Sequence, residues 1–99
     1  MRLSEKIREI IKSEVTNQLG YDVVVRLFGS RVDDTLRGGD IDLLVELKRP
    51  LEHRIQAECK LAASLFIRLG GRKVDVLIKD STMPLQLVHE QAISHGVVL

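Results

Sequence analysis

Asp40-Ile41-Asp42-Leu43-Leu44-Val45-Glu46-Leu47-Lys48 is the stretch that decides the fold of this 99-residue chain. Its residues alternate, so that Ile41, Leu43, Val45 and Leu47 face one way while Asp40, Asp42, Leu44 and Glu46 face the other. A period of two in an aliphatic run predicts a strand over residues 40–48 with one face toward a core. Its two leading aspartates must then share a face, close enough together to hold hard cations. Taken alone, the same pair also describes a solvated strand end whose carboxylates discourage edge pairing.

Working back toward the N-terminus, Arg37-Gly38-Gly39 precedes the aspartates as a loop. Before it, the β-branched and aromatic run over residues 21–28, cut off by Gly29-Ser30, reads as a buried strand that Tyr21 anchors. Ile7, Ile10, Ile11, Val15 and Leu19 recur at helical spacing and predict an amphipathic helix over residues 4–19, with Ser4 as cap and Gly20 as stop. On the other side, Pro50 suits the start of a helix whose Ile55, Cys59, Ala62, Phe66 and Leu69 form an apolar stripe, closed by Gly70-Gly71. Residues 73–78 alternate again, with Val74, Val76 and Ile78 on one face and Asp75 with Leu77 on the other. Pro84 then opens a last helix to about residue 94, and Val97-Val98-Leu99 adds a short edge strand. The order α-β-β-α-β-α, without repeat or linker, describes one α+β domain over residues 1–99, a small mixed sheet backed by helices.

Composition narrows the function. Hydrophobic residues make up 44% and charged residues 29% of the chain, which is ordinary for a folded globular protein. Fifteen basic against fourteen acidic residues leave a formal charge of +1, far from the positive field that phosphate-backbone binding needs, so direct nucleic-acid binding is not expected. No stretch approaches the roughly 18 consecutive apolar residues of a spanning helix, and no apolar run follows the charged start, so a cytoplasmic protein without a membrane segment is expected. The single cysteine, Cys59, excludes an internal disulfide and is expected as a small core side chain. A chain this short leaves little room for its own substrate-binding domain, so its substrate is expected to arrive as a partner.

Three features fall where metal-dependent phosphoryl transfer needs them. Gly29-Ser30 follows a buried strand, where glycine lets backbone N–H groups approach a phosphate and the Ser30 hydroxyl adds a donor; an isolated Gly-Ser is equally an ordinary turn. Asp40 and Asp42 supply paired carboxylates, whose mutual repulsion a divalent ion relieves. Asp75 is embedded among aliphatic residues, so it either reaches solvent or has a cation nearby. If its strand neighbours that of Asp40, three carboxylates converge.

Phe28-Gly29-Ser30-Arg31, followed after Gly39 by Asp40-Ile41-Asp42-Leu43-Leu44-Val45 and later by Lys73-Val74-Asp75-Val76-Leu77-Ile78, resembles the minimal nucleotidyltransferases of the DNA polymerase β superfamily. The likeness spans nearly the whole chain and implies a palm-like catalytic core. It implies that Gly29, Ser30 and Arg31 bind the nucleotide, that Asp40, Asp42 and Asp75 hold metal, and that Asp75 helps prepare the attacking oxygen. Two Mg2+ ions and ATP are the cofactor and substrate it implies. Where many relatives carry a small residue and an early glycine after the Gly-Ser-Arg, Val32-Asp33-Asp34 stands here. Arg31 can therefore serve a phosphate or pair with Asp33 or Asp34.

Minimal proteins of this kind are often encoded beside a small helical HEPN-type RNase. The resemblance thus implies an antitoxin that transfers AMP from ATP to a HEPN partner, on tyrosine, within a hetero-oligomer. The base and the acceptor belong to the resemblance alone. A binding antitoxin that neutralises its partner by contact is the alternative, and nucleotidyl transfer to nucleic acid a third reading, disfavoured by charge. Leu85, Leu87, Val88 and Ile93 are expected mostly as core, with an interface as the alternative. His53, His89 and His95 form no ligand pair and are expected in surface or structural roles. Lys48, Arg49, Arg68, Arg72 and Lys73 are expected on solvated faces or a partner surface.

Overall fold

Alternation and helical spacing together place seven elements in the computed structural model, which describes residues 4–28 and 41–99. They are α1 (Glu5–Leu19), β1 (Val23–Phe28), β2 (Ile41–Leu47), α2 (Arg54–Arg68), β3 (Val74–Lys79), α3 (Leu87–His95) and β4 (Val97–Val98). The strands form one mixed sheet in the order β3-β2-β1-β4. β1 runs antiparallel to both β2 and β4, whereas β2 and β3 run parallel. A parallel pair needs a long crossover, and α2 supplies it.

The alternation read in the sequence sorts the strands into two faces. Val25, Leu27, Ile41, Leu43, Val45, Leu47, Val74 and Ile78 are buried in a single cluster with Ile11, Val15 and Leu19 of α1 and Leu61 and Leu65 of α2. Leu44 lies on the opposite face by alternation and is also fully buried. α3 packs against β1 and buries His89 and Ala92. The α1 signals behave as expected: Ser4 Oγ accepts the Ile7 N–H at 3.2 Å, and Gly20, at φ 95°, donates its N–H to Thr16.

Polar side chains fasten the layers. Gln18 Nε2 donates to Glu14 at 2.9 Å and to Ser64 Oγ of α2 at 3.0 Å, while Arg68 donates to Glu14 at 2.9 Å. The Gln18 amide first, and the Arg68 guanidinium next, hold the Glu14 carboxyl below its usual range. Arg49 reaches the Leu19 carbonyl and lies 3.6 Å from Asp22. Neither Arg49 nor Arg68 is therefore a purely solvated charge. On β3, Glu58 of α2 accepts the Ile78 N–H at 2.7 Å.

Several expectations need correction. Neither proline begins a helix. Residues 52–53 form a turn into α2, whose N-cap His53 takes a left-handed conformation at φ 56°. Pro84 precedes the N-cap of α3, which is Gln86; its N–H donates to His89 Nδ1 at 3.1 Å in a capping box. His89 thus has a buried structural role, as its type suggested.

Apart from Leu69, the apolar stripe read for α2 is also displaced. Ala57, Leu61, Leu65 and Leu69 face the core, whereas Ile55 is 64% exposed, Phe66 is exposed and Cys59 is an exposed thiol rather than a core side chain. Leu85, Leu87 and Val88 are exposed rather than core. Tyr21 is 91% exposed and precedes β1, so it does not anchor that strand.

A buried carboxylate was not foreseen. Asp80 follows β3 and is 3% exposed. Its oxygens accept the Leu51 N–H at 2.8 Å, the Thr82 N–H at 3.0 Å and the Thr82 hydroxyl at 2.8 Å. These donors, Leu51 first, hold its pKa below the ordinary carboxylate range. With a lowered folded-state pKa, its contribution is complete above the unfolded carboxyl's pKa and is lost as pH falls through the folded value. Asp80→Asn is therefore expected to lower the melting temperature at pH 7, and the gap to the unsubstituted protein is expected to narrow as pH falls below the ordinary carboxylate range; thermal scans over a descending pH series check this.

Candidate functional site

The register of the sheet brings the sequence-predicted carboxylates together. Phe28, the last residue of β1, is paired with Asp42, and Asp42 is in turn paired with Asp75 across the parallel β2–β3 ladder. Neighbouring strands lie about 4.8 Å apart, and register partners project to the same face. Asp42 and Asp75 therefore stand side by side on the face opposite Ile41 and Val74, which are buried in the core. Ile41 donates its N–H to the Lys73 carbonyl at 3.0 Å, which fixes the entry of β3 against the start of β2.

Asp42 is partly exposed and Asp75 exposed, so both reach solvent from rigid strands rather than from loops. Lys73 Nζ lies 3.9 Å from Asp75 Oδ1. Asp75 thus reaches solvent and has the Lys73 ammonium nearby. Gly29, Ser30, Arg31 and Asp40 lie outside the described residues, as do Arg37, Gly38 and Gly39. Position alone fixes where that segment departs and returns: it leaves β1 after Phe28 and re-enters β2 at Ile41, at the end of the sheet that carries Asp42 and Asp75.

This donor set fits a hard divalent cation. Two carboxylates from adjacent strands, on one face and open to water, leave coordination positions for solvent and phosphate oxygens, as Mg2+ prefers. Among the described residues no group of three His, Cys, Asp or Glu is placed to hold a metal, and the third candidate ligand, Asp40, is not one of them. No helix among them is long and apolar enough to cross a membrane.

Sequence reading missed one charged contact on this face. Arg26 Nε donates to Glu46 Oε1 at 2.7 Å. The signal was an arginine inside the otherwise apolar run Val23-Val24-Val25-Arg26-Leu27-Phe28.

Comparison with known proteins agrees with this fold. No functionally curated protein matches the chain at a significant level. Among solved structures, a Shewanella oneidensis protein superposes with a TM-score of 0.69 at 22% identity, over 98% of this chain and 71% of that one. A chain from the complex of a tri-AMPylated Shewanella oneidensis HEPN toxin with an MNT antitoxin gives 0.67 at 21% identity, over 97% and 71%. A chain from a toxin-antitoxin structure with AMP-PNP gives 0.66 at 26% identity, over 93% and 70%. The mixed sheet and its helices thus belong to a shared fold, and a match to the nucleotidyltransferase domain over residues 4–98 shows that the chain belongs to that family.

Proposed function

We propose that this protein is a metal-dependent nucleotidyltransferase that moves AMP from ATP onto a HEPN-type toxin and so acts as its antitoxin. The observation that carries this reading is the Asp42–Asp75 register pair on one face, at the sheet end from which residues 29–40 depart. Family membership supports the transferase class. The solved neighbours support the finer reading: one is a tri-AMPylated HEPN toxin with its MNT antitoxin, another a toxin-antitoxin structure with AMP-PNP.

In this reading Gly29 and Ser30 present backbone N–H groups and a hydroxyl to the triphosphate, and Arg31 donates its fixed fork to phosphate oxygens. Asp40 and Asp42, with Asp75, hold Mg2+. Two such ions, when bound, neutralise charge on the attacking and leaving oxygens. Asp75 orients the acceptor hydroxyl, a tyrosine of the partner, and takes up its proton. The hydroxyl oxygen bonds to the α-phosphorus, the bridging α–β bond breaks, and pyrophosphate leaves with the electron pair. The work takes place in the cytoplasm, in a hetero-oligomer with the toxin.

The test is to incubate the protein with its genetically adjacent partner, ATP and magnesium, and to weigh both chains intact. An added AMP on the partner supports the reading; no adduct with any nucleoside triphosphate, despite a tight complex, overturns it. Exposed Ile55, Phe66 and Ile67 on α2 and Leu85, Leu87 and Val88 around the start of α3 favour a second reading, neutralisation by contact alone. In that case the protein with both Asp40 and Asp42 replaced by alanine silences the toxin as well as the unsubstituted protein does.

A further inference from the structure

β1 carries one charged residue, Arg26, and its position makes its choice of partner consequential. Arg26 stands opposite Leu44 of β2, on the face that carries Asp42 and Asp75. Its diagonal neighbours on β2 are therefore two carboxylates, Asp42 on one side and Glu46 on the other. Such diagonal positions lie about 7–8 Å away, within reach of a long side chain. In the structure the guanidinium turns to Glu46, at 2.7 Å, with the two side chains only 20% and 26% exposed. Lys79 occupies the register position beside Glu46 on β3 but directs Nζ to the Asp80 carbonyl at 3.5 Å.

We propose that Glu46 is a positioning residue for the carboxylate pair: by holding Arg26 on one diagonal it keeps the guanidinium off Asp42 on the other, and so preserves the site for a divalent cation. The proposal rests on the metal-dependent reading above. Arginine stays charged at every working pH, and its planar fork matches a carboxylate in two-point geometry. A guanidinium seated on Asp42 would compete directly with a metal for the same oxygens. Deprived of Glu46, a largely buried guanidinium without a counter-ion is costly, and the other diagonal carboxylate, Asp42, is within its reach. Glu46 itself lies four residues along the strand from Asp42, about 13 Å away, too far to share a bound ion.

The test is a Mn2+ titration of the nucleotide-free protein, read from the electron paramagnetic resonance signal of unbound Mn2+, with thermal melts to verify folding. Glu46→Gln is expected to weaken Mn2+ binding about five- to tenfold. Arg26→Met combined with Glu46→Gln is expected to return affinity to within about twofold of the unsubstituted protein, because the competing cation is gone. A purely structural role for Glu46 does not yield that rescue. If Glu46→Gln does not fold, Glu46→Thr makes the same charge change with a strand-favouring side chain. Unchanged affinity in the single variant, or a double variant as weak as the single one, overturns the proposal and leaves the transferase reading standing. Absence of Mn2+ binding by the unsubstituted nucleotide-free protein also overturns the proposal, while the AMP-transfer experiment decides the transferase reading by itself.

Discussion

Asp42→Asn is expected to lower nucleotidyl transfer by about a hundredfold or more while the melting temperature stays within a few degrees. Asparagine keeps the shape of the side chain and removes its charge, so the buried neighbours Ile41, Leu43 and Leu44 are undisturbed. What disappears is half of the anionic pair that Asp42 forms with Asp75 across β2 and β3. Initial rates of AMP incorporation from labelled ATP, beside thermal melts, measure both quantities. Asp22→Asn is the matched control, since Asp22 pairs with Arg49 at the opposite end of β1 and is expected to leave transfer unchanged. Transfer by Asp42→Asn within tenfold of the unsubstituted rate would remove this aspartate from the machinery.

Gly96→Ala is expected to be the most damaging glycine-to-alanine change among the described residues. A Cβ at this position would lie 2.2 Å from the Ala92 carbonyl oxygen and 2.8 Å from that of Leu27. Both are backbone atoms, one in α3 and one in β1, so neither gives way by rotating a side chain. The Gly96 φ of −81° suits any residue, and the cost is therefore one of space. It falls where the Gly96 N–H closes α3 on Ala92 and the chain turns to pair Val97 with Leu27. Overpacking of this kind costs about 2 kcal/mol or more, which for a domain of this size lowers the melting temperature by about 8–16 °C. A scan showing less than about 3 °C would mean that α3 and β4 shift together without loss.

The sheet was legible because period-two alternation admits little ambiguity once aliphatic and charged residues are segregated as in Asp42-Leu43-Leu44-Val45-Glu46. The same alternation placed Asp42 and Asp75 on their shared face, with the neighbourhood of their strands as the sole condition. Helices were harder. α2 carries two apolar stripes that both run on to Leu69, and nothing within the helix says that Ala57, Leu61 and Leu65, rather than Ile55, Cys59, Ala62 and Phe66, join the core. That choice is made by α1, where Gln18 and Glu14 hold Ser64 and Arg68. The prolines misled for a related reason: residues 50–53 and 80–86 are shaped by Asp80 and by the Gln86–His89 cap, not by proline's preference for a first helical turn. The Asp80-Ser81-Thr82 run carries an aspartate suited to binding the backbone two residues on, a signal that passes unnoticed beside the apolar pattern.

Glu58 has a consequence at the rim of the molecule. β3 is an outermost strand, and its outward N–H groups are the template on which a second chain adds itself strand to strand. By accepting the Ile78 N–H, and being itself held by Arg54 at 2.8 Å, Glu58 places a carboxylate on that template near the C-terminal end of β3. An incoming strand would have to break this contact and confront the carboxylate with its own backbone. A side chain from the crossover helix thus guards the protein against uncontrolled self-association at the edge next to its carboxylate pair.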